Sequence, residues 1–182
     1  MERFDAMLAE ARRGDPGALS ALYRLLQPPI LRYLRALEPR EAEDLASEAW
    51  LSVITSLDRF RGDEPALRAW AFTIARSRLI DLRRLRARRG TVPTSPEELA
   101  EHAETRNVEE EALAELSTEE AVAQIASLPH DQAEVVLLRV IGDLSVRDVA
   151  AIMGKRPGTI RVLQHRALRS LALRVSRQAV AE

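Results

Sequence analysis

Apolar residues recur along this chain at helical spacing. Between Ala42 and Phe60, Leu45, Ala49, Trp50, Val53 and Leu57 fall three or four positions apart, which places one apolar stripe of a helix against a core. Arg3–Arg13 reads as an earlier helix, ended by Gly14–Asp15–Pro16–Gly17. Ala18–Leu26 reads as a second that Pro28–Pro29 should end, and Ile30–Leu37 as a third, stopped near Pro39. A loop at Arg61–Pro65 precedes the longest helical pattern, Ala66 to Arg89. Further on, Thr118 is placed to cap a helix ending before Pro129, and Asp131 opens another that runs through Ile141. Ser145 caps a short helix, with Asp148 three residues on in capping-box position. No stretch alternates like a strand, and the expected fold is all-α.

The last pattern is the most specific. SVRDVAAIM runs through Gly154 and Pro157–Gly158 into a long basic helix, the sequence form of a helix-turn-helix. At about 100° per residue, Ile160, Leu163, Ala167 and Leu171 gather on one side, with Gln164 among them. Arg161, Val162, His165, Arg166 and Arg169 then point outward, and Thr159 is placed to cap the helix. An apolar seam with cations around it suits a phosphate backbone and a major groove.

Charge changes the picture by dividing the chain. Residues 1–90 hold 17 Arg against 13 acids, residues 91–120 one Arg against ten Glu, and residues 121–182 nine basic residues against five acids. The net charge of −1 therefore hides two basic blocks on an acidic tether. Pro93 and Pro96 mark the boundary, so the expected organisation is a helical domain at 1–90, a linker at 91–117 and a helix-turn-helix domain at 118–182. Within the first block, the segment from Arg76 to Arg89 has seven Arg and one Asp, while Leu79, Leu82 and Leu85 continue its seam. A solvated face mixes signs, so this half-helix points to nucleic acid.

Composition excludes several classes. With no cysteine there is no disulfide scaffold, thiolate site or cysteine nucleophile. No apolar run approaches the roughly 20 residues that span a bilayer, and the charged start is unlike a signal peptide, so a soluble, cytoplasmic protein with no membrane insertion is expected. His102, His130 and His165 show no arrangement with carboxylates that suggests chemistry, so neither an enzyme nor a metal or other cofactor is expected. Hydrophobic content of 46% with only 4% aromatics predicts aliphatic helical cores.

Taken together, the two blocks resemble a known family. AEDLASEAWLSVITSLDRFRGDEPALRAWAFTIARSRLIDLRRLRARR looks like region 2 of bacterial RNA polymerase sigma factors, and LPHDQAEVVLLRVIGDLSVRDVAAIMGKRPGTIRVLQHRALRSL looks like their region 4. Having only these two regions and an acidic linker, the chain is similar to the extracytoplasmic-function (ECF) group. The resemblance implies that Asp44, Leu45, Glu48 and Trp50 dock on the coiled coil of the polymerase β′ subunit, and that region 4 meets the β flap. It implies that Phe60 and Arg61, with Gly62, begin a loop capturing a flipped base of the minus-ten element. Trp70, Arg76, Ser77, Asp81, Arg83 and Arg84 fall on the implied melting helix, and Arg156, Thr159, Arg161, Val162, His165, Arg166 and Arg169 on the minus-thirty-five reader. Core polymerase, promoter DNA and an anti-sigma factor are the implied partners. Ser47, Ser77 and the Leu163–Gln164 pair depart from common family residues, so the promoter sequence does not carry over. The alternative is a stand-alone repressor or activator, its first block serving as an effector or dimerisation domain.

Overall fold

The computed structural model describes residues 2–88 and 120–181, and every regular element among them is helical. The N-terminal half holds α1 (Glu2–Arg12), α2 (Pro16–Leu37), α3 (Ala42–Ser56), a 3₁₀ turn at Leu57–Arg59, and α4 (Glu64–Arg88). The C-terminal half holds α5 (120–126), α6 (His130–Val140), α7 (Val146–Met153) and α8 (Pro157–Ala181). The linker at 91–117 and the Thr118 cap lie outside the described residues.

Several boundaries differ from the sequence reading, two of them with a clear physical cause. Pro28 and Pro29 do not end a helix but sit inside α2. Leu22, Leu26, Ile30 and Leu34, four residues apart, are all 2% exposed or less, and Tyr33 is fully buried beside them. Each buried Leu or Ile contributes about 1.5–3 kcal/mol, and the set outweighs the roughly 3 kcal/mol that each interior proline costs. At the other boundary, the loop is shorter than Arg61–Pro65. The Asp63 carboxylate accepts from the Ala66 amide at 3.0 Å, which starts α4 at Glu64 and puts Pro65 in a first turn that needs no amide from it.

The Ser145–Asp148 capping box forms as expected, and α7 ends on Gly154 in the left-handed region at φ 64°. Inside the N-terminal half, α3 packs against both α2 and α4. The C-terminal half packs α6, α7 and α8 together. In α6, six consecutive residues from Ala133 to Leu138 are buried. At about 100° per residue those six face every direction, so no single domain covers them. One side of α6 meets α7 and α8 and the other meets α2, while α7 also packs on α4. Among the described residues no helix is long and apolar enough to cross a membrane.

Candidate nucleic-acid interface

The helix-turn-helix presents its cations cleanly. Ile160 and Ala167 are fully buried and Leu163 and Leu171 half-buried, so the predicted seam anchors α8. Arg156, Thr159, Arg161, His165, Arg166 and Arg169 are exposed, and Val162 stands half out of the surface. Among the described residues, no carboxylate pairs with Arg161, Arg166 or Arg169. Thr159 is not the cap, because α8 begins at Pro157 and the Ile160 amide bonds the Arg156 carbonyl at 3.2 Å. Its hydroxyl lies in the first turn instead, where helix amides and dipole favour an anion.

The loop before α4 builds a second feature. Phe60 is buried and lies against half-buried Trp70, ring centroids 5.2 Å apart. With Arg59, Arg61 and Ala66 the two rings line an open cavity of about 450 Å³. Gly62 (φ 143°) passes so close that a Cβ there would fall 2.8 Å from that of Ala66. Arg61 is exposed, yet its guanidinium turns back onto the carbonyls of Asp58 (2.5 Å) and Phe60 (2.7 Å). Sequence reasoning missed Arg12: from α1 it donates to the Phe60 carbonyl at 2.6 Å and the Leu57 carbonyl at 3.3 Å, bracing the 3₁₀ turn under the cavity. Nothing in its local pattern set it apart from the neighbouring Arg13.

Along α4 the predicted residues separate into two groups. Ser77, Asp81 and Arg84 are exposed, with Arg84 and Asp81 paired loosely at 3.6 Å. Arg76 and Arg83 instead turn into the protein. Arg83 is held by Glu38 at 2.8 Å and by the Leu37 carbonyl, and it bonds His130. Arg86 binds Glu38 and Glu41, which hold its pKa above the ordinary arginine value, the Glu41 bond foremost. The seam also fades, since Leu82 is half-buried and Leu85 exposed where α4 outruns its core.

Arg76 meets the other half of the chain. Its Nε donates to Glu134 Oε1 at 2.8 Å and its Nη2 to Oε2 at 3.4 Å, while the Tyr33 hydroxyl donates to the same Oε1 at 2.9 Å. Burial, and then the Glu134 charge, push the Tyr33 phenol well above its ordinary pKa. Burial alone would lower Arg76, but the bond and charge of Glu134 hold it above its ordinary value. His130 does lie near carboxylates, against expectation: one ligand atom each from His130, Asp131 and Glu134 falls within 4.8 Å of the others. Lys155 already holds Asp131 at 2.9 Å, keeping that carboxyl below its usual range, and Arg76 holds Glu134. The cluster is neutralised by the protein's own cations.

On α3 the docking candidates divide between the core side and the outer face. Leu45 is 5% exposed and belongs to the core, and half-buried Trp50 packs edge-on against Tyr23 at 5.1 Å. Asp44 and Glu48 are exposed, and Leu51, on the same face, is 62% exposed. Leu51 was legible in principle, as an apolar residue off the Leu45–Ala49–Val53 stripe.

Comparison with known proteins gives these surfaces a context. The sigma-70 region 2 model matches residues 22–89 and the sigma-70 region 4 model residues 118–171. The ECF RNA polymerase sigma factor SigD of Mycobacterium tuberculosis is 34% identical over 178 residues, covering 93% of this chain and 82% of the relative. This chain belongs to the ECF sigma factors. It is accordingly an alternative sigma factor, directing promoter-specific transcription initiation by RNA polymerase. ECF RNA polymerase sigma factor ShbA of Streptomyces griseus is 34% identical over 177 residues, covering 91% of this chain and 92% of the relative. Among solved structures, the sigma factor RpoE of Bartonella quintana, crystallised with the anti-sigma factor NepR, superposes with a TM-score of 0.63 at 26% identity, over 84% of this chain and 92% of that one. The first block of this sigma factor is thus a region 2, not the effector domain of a stand-alone regulator.

Proposed function

We propose a division of labour among three faces of this sigma factor. The exposed N-terminal part of α8, with Arg156, Thr159, Arg161, Val162, His165, Arg166 and Arg169, reads the minus-thirty-five element as duplex. The Phe60–Trp70 cavity takes one flipped minus-ten base, with Arg61, Ser77, Asp81 and Arg84 beside the separating strands and Arg76 and Arg83 joining them once released from Glu134 and Glu38. Asp44, Glu48 and Leu51 form the outer contact with the β′ coiled coil, supported from beneath by Leu45 and Trp50. The single observation that carries this reading is the aromatic-walled cavity at the head of an arginine-rich helix, in the same chain as a recognition helix whose Arg161, Arg166 and Arg169 meet no carboxylate among the described residues.

The factor works in the cytoplasm with core polymerase, its C-terminal half meets the β flap, and a separate anti-sigma protein controls it. It catalyses no reaction itself. The test is reconstitution with core polymerase and transcription from a pool of genomic fragments. Start sites sharing two spaced motifs support the assignment. The change Leu51→Asp with Glu48→Ala should abolish co-purification with core while leaving the helical spectrum unchanged. Undiminished co-purification would remove α3 from the docking role.

A further inference from the structure

The contact between the two halves raises a question that the division of labour leaves open. Glu134 is 1% exposed, inside the apolar run Ala133–Leu138. A carboxylate is tolerated there only when paired and hydrogen-bonded. Among the described residues its close donors, Tyr33 and Arg76, come from α2 and α4, while from its own half only His130 approaches, at 4.0 Å. Glu134 is therefore placed for a partner domain and not for its own fold. Arg76 also donates through Nη1 to the Ile152 carbonyl at 3.1 Å, satisfying a carbonyl in the last turn of α7. Ile152 in turn closes a recess of about 230 Å³ whose other walls are Thr73, Arg76, Ser77, Ile80, Asp81 and Arg84. The first helix of the helix-turn-helix thus sits on the rim of the minus-ten face.

We propose that Glu134 is an internal competitor for promoter DNA. In the free chain its carboxylate occupies the Arg76 guanidinium that nucleic acid takes in the initiation complex, and the Tyr33–Glu134–Arg76 group clamps region 4 over α4. This rests on the reading of α4 as the minus-ten face. A guanidinium satisfied by a buried carboxylate has no fork left for a phosphate, so the two occupants exclude each other. The clamp holds until polymerase and promoter, which favour the separated halves, shift the equilibrium.

The chain has no cysteine, so thiols introduced at exposed Ser20 and Leu173 can carry a donor and an acceptor dye in the full-length protein. Glu134→Gln should lower energy transfer between them, and should tighten binding of the free factor to a fork-junction DNA, cut from a promoter its holoenzyme transcribes, by about tenfold. Tyr33→Phe keeps the ring against Phe72, 5.5 Å away, and should shift both readouts the same way by less. In an Arg76→Ala background Glu134→Gln should no longer tighten DNA binding. Unchanged transfer in both variants overturns the clamp, and lowered transfer without tighter binding overturns the competition. The underlying reading fails separately: if Ser77→Ala with Arg84→Ala leaves the holoenzyme's opening of that fork unchanged, α4 is not the minus-ten face.

Discussion

Two arginine-rich helices, α4 and α8, look alike in sequence and differ in what their charges do. On α8, Arg161, Arg166 and Arg169 stand in solvent with no carboxylate at hand among the described residues. On α4, Arg68, Arg76, Arg83 and Arg86 are each tied to a carboxylate, and Arg78 donates to Ser52 at 2.8 Å. A cluster of like charges is therefore not by itself a free surface. What decides is the supply of acids on neighbouring elements, and Glu38, Glu41 and Glu134 all lie within reach of α4. The α8 cations are set up for long-range attraction to a duplex. Those on α4 must first be exchanged from protein to nucleic acid.

The largest expected effect breaks that contrast directly. Arg76→Ala leaves Glu134 buried without its cation and should destabilise the closed protein by about 3 kcal/mol in denaturant unfolding. Arg161→Ala or Arg166→Ala should stay within about 0.5 kcal/mol of the parent. Equal losses on both helices would erase the distinction. Next in size, Arg166→Ala should weaken holoenzyme binding to a minus-thirty-five duplex by about 1–3 kcal/mol, selectively at one base if it reads an edge and uniformly if it touches phosphate. Arg12→Ala removes charged bonds from the turn under the cavity, and should blur base preference at the minus-ten position by about 1 kcal/mol while leaving minus-thirty-five binding untouched. An unchanged base profile would reduce Arg12 to a packing residue.

The smallest effect is in pH. The folded pKa of Tyr33 is raised, so its contribution to stability is complete below its unfolded value of about 10 and is lost as pH rises from there through the folded value. The stability gap between the parent and Tyr33→Phe should therefore hold steady up to about pH 10 and narrow only above it, read from urea midpoints. A constant gap would mean that the hydroxyl proton does not hold Glu134.

Much of the architecture was legible because local rules governed it. The stripe from Leu45 to Leu57, the Ser145–Asp148 box, the Gly154 turn and the Ile160–Leu171 seam each express helical periodicity or capping within a few residues. The α8 face followed, since an exposed helix shows its pattern directly. Misreadings arose where distant partners overrode local signals. Pro28–Pro29 read as a stop because the burial that sustains α2 through them comes from other helices. Arg76 and Arg83 read as open cations because their partners lie 58 and 45 positions away along the chain. Arg12 had no signal at all, since both of its acceptors are backbone carbonyls of a turn 45 and 48 residues distant.

The burial of α6 on all sides bears on how interchangeable the parts of such a protein are. A helix enclosed from two directions answers to two sets of neighbours, so Glu134 cannot vary to suit one half without unsettling the other. Grafting the C-terminal half of a relative that has an apolar residue at that position would import a competent DNA reader and leave Arg76 facing a mute neighbour. Specificity would transfer intact, while restraint in the uncomplexed state would stay behind with the donor. In this chain, recognition is modular and quiescence is not.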